Sequence, residues 1–92
     1  MRINAFEWDE KNEDHIAKHG VAIFEVEELI SFGRPFYRRT REGKYIAYGV
    51  SEEGRHLFIV FAMKGSARVR VISARDMAEK EKRYYRKRKG VK

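Results

Sequence analysis

Ala67-Arg68-Val69-Arg70-Val71-Ile72-Ser73-Ala74-Arg75-Asp76, followed by Met77 to Lys92, reads as a strand feeding directly into a strongly basic helix. Arg68 to Ile72 alternates arginine with β-branched residues, so one strand face can pack on a core while the other presents Arg68 and Arg70 to water. Ser73 stands where an N-cap belongs, and Asp76 three residues on completes a serine/acid capping pattern, so a helix is expected to begin there. Ala74, Met77, Ala78, Glu81 and Tyr85 then share one side of that helix, with Tyr84 alongside and Arg75, Lys82 and Arg86 on a neighbouring side. From Lys80 onward eight Lys or Arg face the single acid Glu81, a net +7 that equals the formal charge of the whole chain. Residues 1 to 79 balance to zero.

The 92 residues suit one small domain, 1–92, with a modest core, and leave no room for separate catalytic and binding domains. Hydrophobic residues at 42% against 38% charged residues describe a folded protein with a heavily charged surface. No apolar run approaches the roughly 20 residues needed to cross a bilayer, and Met1-Arg2-Ile3-Asn4 is not followed by a signal-type apolar stretch. A cytoplasmic location without membrane association is expected. With no cysteine, disulfides, thiolate metal sites and thiol nucleophiles are excluded. His15, His19 and His56 show no ligand spacing, and neither a metal nor another cofactor is expected. The basic excess favours a polyanionic partner, nucleic acid ahead of an anionic membrane surface.

Working outward toward the N-terminus, His56 to Met63 is a continuous apolar run that suits a central strand, with Lys64-Gly65-Ser66 turning the chain into Arg68 to Ile72. Phe36 to Thr40 and Lys44 to Val50 form a hairpin through Arg41-Glu42-Gly43, and Ser51 to Gly54 is a second turn. Ala22, Val26, Leu29 and Ile30 give an amphipathic helix ending before Gly33. A shorter helix is expected from an Asp9 N-cap to about His19, with Gly20 as its left-handed terminator, after a short strand from Arg2 to Trp8. The fold class is therefore α+β, an antiparallel sheet flanked by two N-terminal helices and one C-terminal basic helix, with Lys87 to Lys92 a basic tail free to fray without RNA. Glu7 to Ser31 holds eight acids and two bases, whereas Arg34 to Ile72 holds nine bases and three acids. The nucleic-acid face is expected on the second half.

No glycine-rich phosphate loop, metalloprotease helix signature or serine nucleophile elbow is present. Cations, acids, tyrosines and histidine suffice for metal-free RNA cleavage. That reaction aligns the ribose 2′-oxygen with phosphorus, stabilises the pentavalent phosphate and compensates the leaving 5′-oxygen. Arg75 leads as a phosphate ligand because a guanidinium fits two phosphate oxygens, although a salt bridge would explain it equally. Glu81 is either a general base, if burial raises its pKa, or an anion that orients an arginine. Tyr84 and Tyr85 can bond phosphate, stack on a base or seal the core. Lys18 and His19 complement a helix C-terminus, while His19 also suits proton transfer. Arg38, Arg39, Arg41, Lys44, Arg68, Arg70, Lys82 and Arg86 are candidate RNA-backbone contacts.

Phe6-Glu7-Trp8-Asp9, Asn12, Lys18-His19-Gly20-Val21, Arg70-Val71-Ile72-Ser73-Ala74-Arg75, Glu81 and Tyr84-Tyr85 together resemble the BrnT family of prokaryotic type II toxins. The resemblance implies a RelE-like ribonuclease fold, inhibition of translation by RNA cleavage, and neutralisation by a BrnA-like ribbon-helix-helix antitoxin. Operator DNA would then be contacted indirectly, through the antitoxin. Lys18, His19, Arg75, Glu81, Tyr84 and Tyr85 are the positions it implies for activity. Ile30-Ser31-Phe32-Gly33-Arg34-Pro35 departs from that pattern in lacking the acidic turn often seen in relatives. Two other readings compete: a non-catalytic nucleic-acid-binding or co-repressor subunit of an operator complex, and a protein-interaction domain whose basic tail meets an acidic partner.

Overall fold

The computed structural model describes residues 3–65 and 67–90. Arg2 and Ser66, and Val91 and Lys92 of the basic tail, lie outside the described residues. A three-residue strand β1 (Ala5–Glu7) is followed by α1 (Glu10–Ala17) and α2 (Ile23–Phe32). Asp9 caps α1 as expected, its Oδ1 accepting the Asn12 amide at 2.8 Å. The chain then turns through Gly20, whose φ of +73° is the left-handed conformation glycine adopts without strain. At the start of α2 the N-cap is Ala22, which has no capping oxygen. Glu25 at the third helical position reaches back instead and accepts the Ala22 amide at 3.0 Å.

Strands β2 (Phe36–Arg39), β3 (Tyr45–Val50), β4 (His56–Lys64) and β5 (Arg68–Asp76) complete one sheet of order β1-β5-β4-β3-β2. The four long strands form the expected antiparallel meander, and β1 joins it in parallel beside β5, so the sheet is mixed. One face carries Ala47, Leu57, Ile59, Phe61, Val69, Val71 and Ala74, covered by Ile16 of α1 and Val26, Leu29 and Ile30 of α2. This is the main core. At Gly49 the sheet comes so close to α2 that a Cβ would stand 2.8 Å from Leu29 Cδ2. The opposite face carries Ile46, Tyr48, Phe58 and Val60 beneath α3 (Glu79–Lys89), which contributes Tyr84 and Tyr85.

The strand-to-helix junction differs from expectation. Ser73 does not cap a helix; β5 continues through it to Asp76, paired with β4 along its length, and α3 begins only at Glu79. Local capping chemistry at Ser73 loses to the row of β4 hydrogen-bonding groups that the strand satisfies by continuing. Val60 pairs with Ser73 while Phe61 pairs with Val71, so Ile72 is the extra residue of a β-bulge. The bulge reverses the alternation: Val69, Val71 and Ala74 face the core, and Arg75 is delivered to the opposite face. Ala78 is the actual N-cap, and Glu81 accepts its amide at 2.7 Å, the same device that starts α2. Lys87 to Lys89 continue α3, which Gly90 ends at φ +74°.

Candidate nucleic-acid groove

Cross-strand register sets Phe36, Tyr48, Phe58 and Arg75 in one row across four strands on the α3 side of the sheet. Tyr84 of α3 lies over this row, its ring centroid 5.2 Å from Tyr48 and 5.8 Å from Phe36. Two residues along β2 on the same face, Arg38 places its guanidinium carbon 5.8 Å from the Tyr84 ring, and Arg88 approaches that ring at 5.5 Å. Arg38, Tyr48, Phe58, Lys80, Glu81 and Tyr84 line an open cavity of about 360 Å³.

Arg75 is held on two sides. Its guanidinium carbon stacks 4.2 Å from the Phe58 centroid, and its two terminal nitrogens donate to the two Glu81 oxygens at 2.8 and 2.9 Å. One more N–H donates to the Asp76 carbonyl at 3.0 Å. Of the five guanidinium N–H groups, the Nε–H and one on Nη2 therefore have no protein acceptor among the described residues. The Arg75 hydrogen bonds hold the Glu81 carboxyl below its ordinary value, against the opposing effect of burial and with help from the Ala78 amide. Glu81 is thus an anion that orients an arginine, and the raised pKa needed for a general base is absent. Burial raises the Tyr48 phenol, which stays protonated.

The other sequence candidates are dispersed. Tyr85 is buried against Ile46 and Met77 and meets the His56 ring at 6.1 Å, so it seals the second core. Lys18 and His19 are exposed at the end of α1, which covers the opposite face of the sheet. Their neighbourhood is organised by Arg55, which donates to the carbonyls of Gly20 and His19 at 2.7 and 3.3 Å, to Glu25 at 3.2 Å and to Asp76 at 2.7 Å. Arg70 is held by Glu7 at 2.9 Å and Asp9 at 2.8 Å, and Arg68 by Glu7 at 3.3 Å. Arg39 leans over Tyr45, Arg41 is exposed in the β2–β3 turn and Lys44 is half-buried after it. Lys82 pairs with Glu79 at 3.7 Å, and Arg86 is half-buried on α3.

Of the sequence candidates, then, the groove gathers Arg38, Arg75, Glu81 and Tyr84. Tyr48, Phe58, Lys80 and Arg88 were missed, although two-residue alternation in β3 and β4 marks Tyr48 with Ile46, and Phe58 with Val60, as one face. Among the described residues no three His, Asp or Glu side chains are grouped to hold a metal ion. No described helix is long and apolar enough to cross a membrane.

Cations and stacked aromatics in a groove between a sheet and a basic helix are the features that single-stranded nucleic-acid sites combine. Residues 8–81 match the family described as "Ribonuclease toxin, BrnT, of type II toxin-antitoxin system", and the chain belongs to that BrnT family. The match ends at Glu81, so Tyr84 and the rest of α3 lie beyond it. The chain is similar to the ribonuclease toxin BrnT of Brucella abortus, whose crystal structure was determined at 1.1 Å. Identity is 26% and the TM-score 0.66, over 82% of this chain and 97% of that one. No curated protein matches significantly.

Proposed function

We propose that this chain is the toxin of a type II pair, an endoribonuclease that cleaves RNA in the α3 groove without a metal ion and so inhibits translation in the cytoplasm. A BrnA-like ribbon-helix-helix antitoxin neutralises it and carries the contact with operator DNA. The observation that supports the site is Arg75, fixed by Glu81 and Phe58 with two N–H groups left over, beside Arg38, Lys80 and Tyr84.

In this reading the scissile phosphate sits against Arg75 and Arg38, and an adjoining base stacks on Tyr84. The 2′-oxygen bonds to phosphorus as its proton passes to water. The P–O5′ bond breaks, and the departing 5′-oxygen takes a proton from Lys80, whose ammonium group lines the cavity. The products are a 2′,3′-cyclic phosphate and a 5′-hydroxyl. Glu81 is a positioning residue for Arg75. Lys18 and His19 act through the turn that Arg55 binds, and Tyr85 through packing.

The test incubates refolded, antitoxin-free protein with defined RNA in excess chelator, alongside Arg75→Ala and Arg75→Lys variants whose folding is checked by circular dichroism. The parent should leave cyclic-phosphate ends, and Arg75→Ala should be slower by on the order of 100-fold or more. Cleavage that appears only when Mg²⁺ is restored would overturn metal independence. Intact RNA that is nonetheless bound by folded protein would overturn the nuclease reading in favour of a co-repressor subunit, which the basic charge of α3 would also serve.

A further inference from the structure

The face remote from the groove carries a second concave surface. Between α1 and α2 an open groove of about 560 Å³ has an apolar floor that includes Ile16, Ala17 and Ile23, with Phe24, Glu13, Asp14 and Glu27 at its rim. Phe24 is 62% exposed, and Phe32, two turns along α2, is 82% exposed. Among the described residues no lysine or arginine pairs with Glu13, Asp14 or Glu27. Glu27 is kept in place by the Trp8 indole, which donates to it at 2.8 Å. A large exposed aromatic, Phe24, at the edge of an apolar groove marks a contact surface, and the unpaired carboxylates set the sign of what fits.

RNA is repelled by this rim. A second copy docked by two-fold symmetry would oppose acid to acid. A second copy offering its basic α3 would bring no apolar anchor, because Tyr84 and Tyr85 face its own sheet. What remains is a helix with lysine or arginine on its flanks and bulky apolar residues at intervals of three and four. We propose that the α1–α2 groove docks such a cationic amphipathic helix of the antitoxin. Its apolar residues would lie beside Phe24, and its cations opposite Glu13, Asp14 and Glu27. The proposal rests on the toxin–antitoxin reading above and specifies where the partner sits.

The test measures affinity of the full chain for the ribbon-helix-helix antitoxin of its own operon at about 0.15 M ionic strength. It compares the parent with Glu13→Lys/Asp14→Lys, Phe24→Ser and, as a groove control, Arg38→Ala. All four substitutions fall on exposed side chains. The acid reversal and Phe24→Ser should each weaken binding by on the order of 10- to 100-fold. They should leave RNA cleavage unchanged, and Arg38→Ala should bind the antitoxin as the parent does. Loss of binding in Arg38→Ala with none in the α1–α2 variants would overturn the proposal while leaving the toxin–antitoxin pair intact. Absence of any complex from folded components would overturn both.

Discussion

Glu81→Ala removes three interactions at one point: the two hydrogen bonds to Arg75 at 2.8 and 2.9 Å and the cap on the Ala78 amide at 2.7 Å. Losing the cap at the start of α3 costs about 0.5–1 kcal/mol. The ion pair contributes a further 1–2 kcal/mol, roughly, which is less than a buried pair would give. The discount applies because the Arg75 side chain is 38% exposed and can rehydrate, whereas Glu81 is 15% exposed. The sum is about 1.5–3 kcal/mol, which in a domain of this size lowers the melting temperature by roughly 6–24 °C. Urea denaturation of parent and variant at neutral pH, with unchanged m-value, measures it. The pH dependence has a defined sign. Because the folded-state pKa of Glu81 lies below its ordinary 4.5, its contribution is complete above that value and is lost as pH falls through the lowered one. The gap between parent and variant should hold at neutrality and narrow in acid. A variant within about 0.5 kcal/mol of the parent, or a gap that does not narrow, would refute this account of Glu81.

Gly49→Ala should destabilise by about 1–3 kcal/mol, read by thermal melting, since the added methyl meets the buried Leu29 side chain at 2.8 Å. Arg55→Lys retains charge but cannot span Gly20, Glu25 and Asp76 together. It should cost about 1–2 kcal/mol in urea titrations and speed amide hydrogen exchange around Val21. Tyr84→Phe should keep single-stranded RNA affinity near that of the parent, whereas Tyr84→Ala should weaken it by about 5- to 100-fold in fluorescence anisotropy. Equal losses in the two would show that the hydroxyl, not the ring, makes the contact.

Strand and helix types were legible because their signals are local: Asp9 before α1, glycine after it, the hairpin turn before β3, the continuous apolar run of β4 and the alternation along β5. Pairing between distant segments was not. Three residues of β1 carry no mark of the parallel partner, and Ala5 lies beside Arg68 only because β5 offers an open edge. Ser73 and Asp76 reproduce a capping pattern faithfully. Asp76 is instead taken by Arg55, twenty-one positions away, and Ser73 by the ladder with Val60. Arg75 and Glu81 stand out by residue type, but their mutual grip needs both the late start of α3 and the change of side at Ile72. Arg70 shows the reverse error. Its charge suggested nucleic acid, yet Glu7 and Asp9, more than sixty residues earlier, already neutralise it. Lys18 and His19 were conspicuous as a pair, and what surrounds them is a helix-ending turn whose carbonyls feed Arg55.

Between Val71 and Ala74 the strand carries one residue more than a regular ladder with β4 requires. A relative shorter by one residue at this point would pair without a bulge and still present its equivalent of Arg75 to the groove. A relative longer by one would regain regular alternation and keep that arginine on the groove face, but would carry it two positions along β4, opposite His56 instead of Phe58. A one-residue gap in an alignment here is therefore compatible with an intact site, and a one-residue insertion is not.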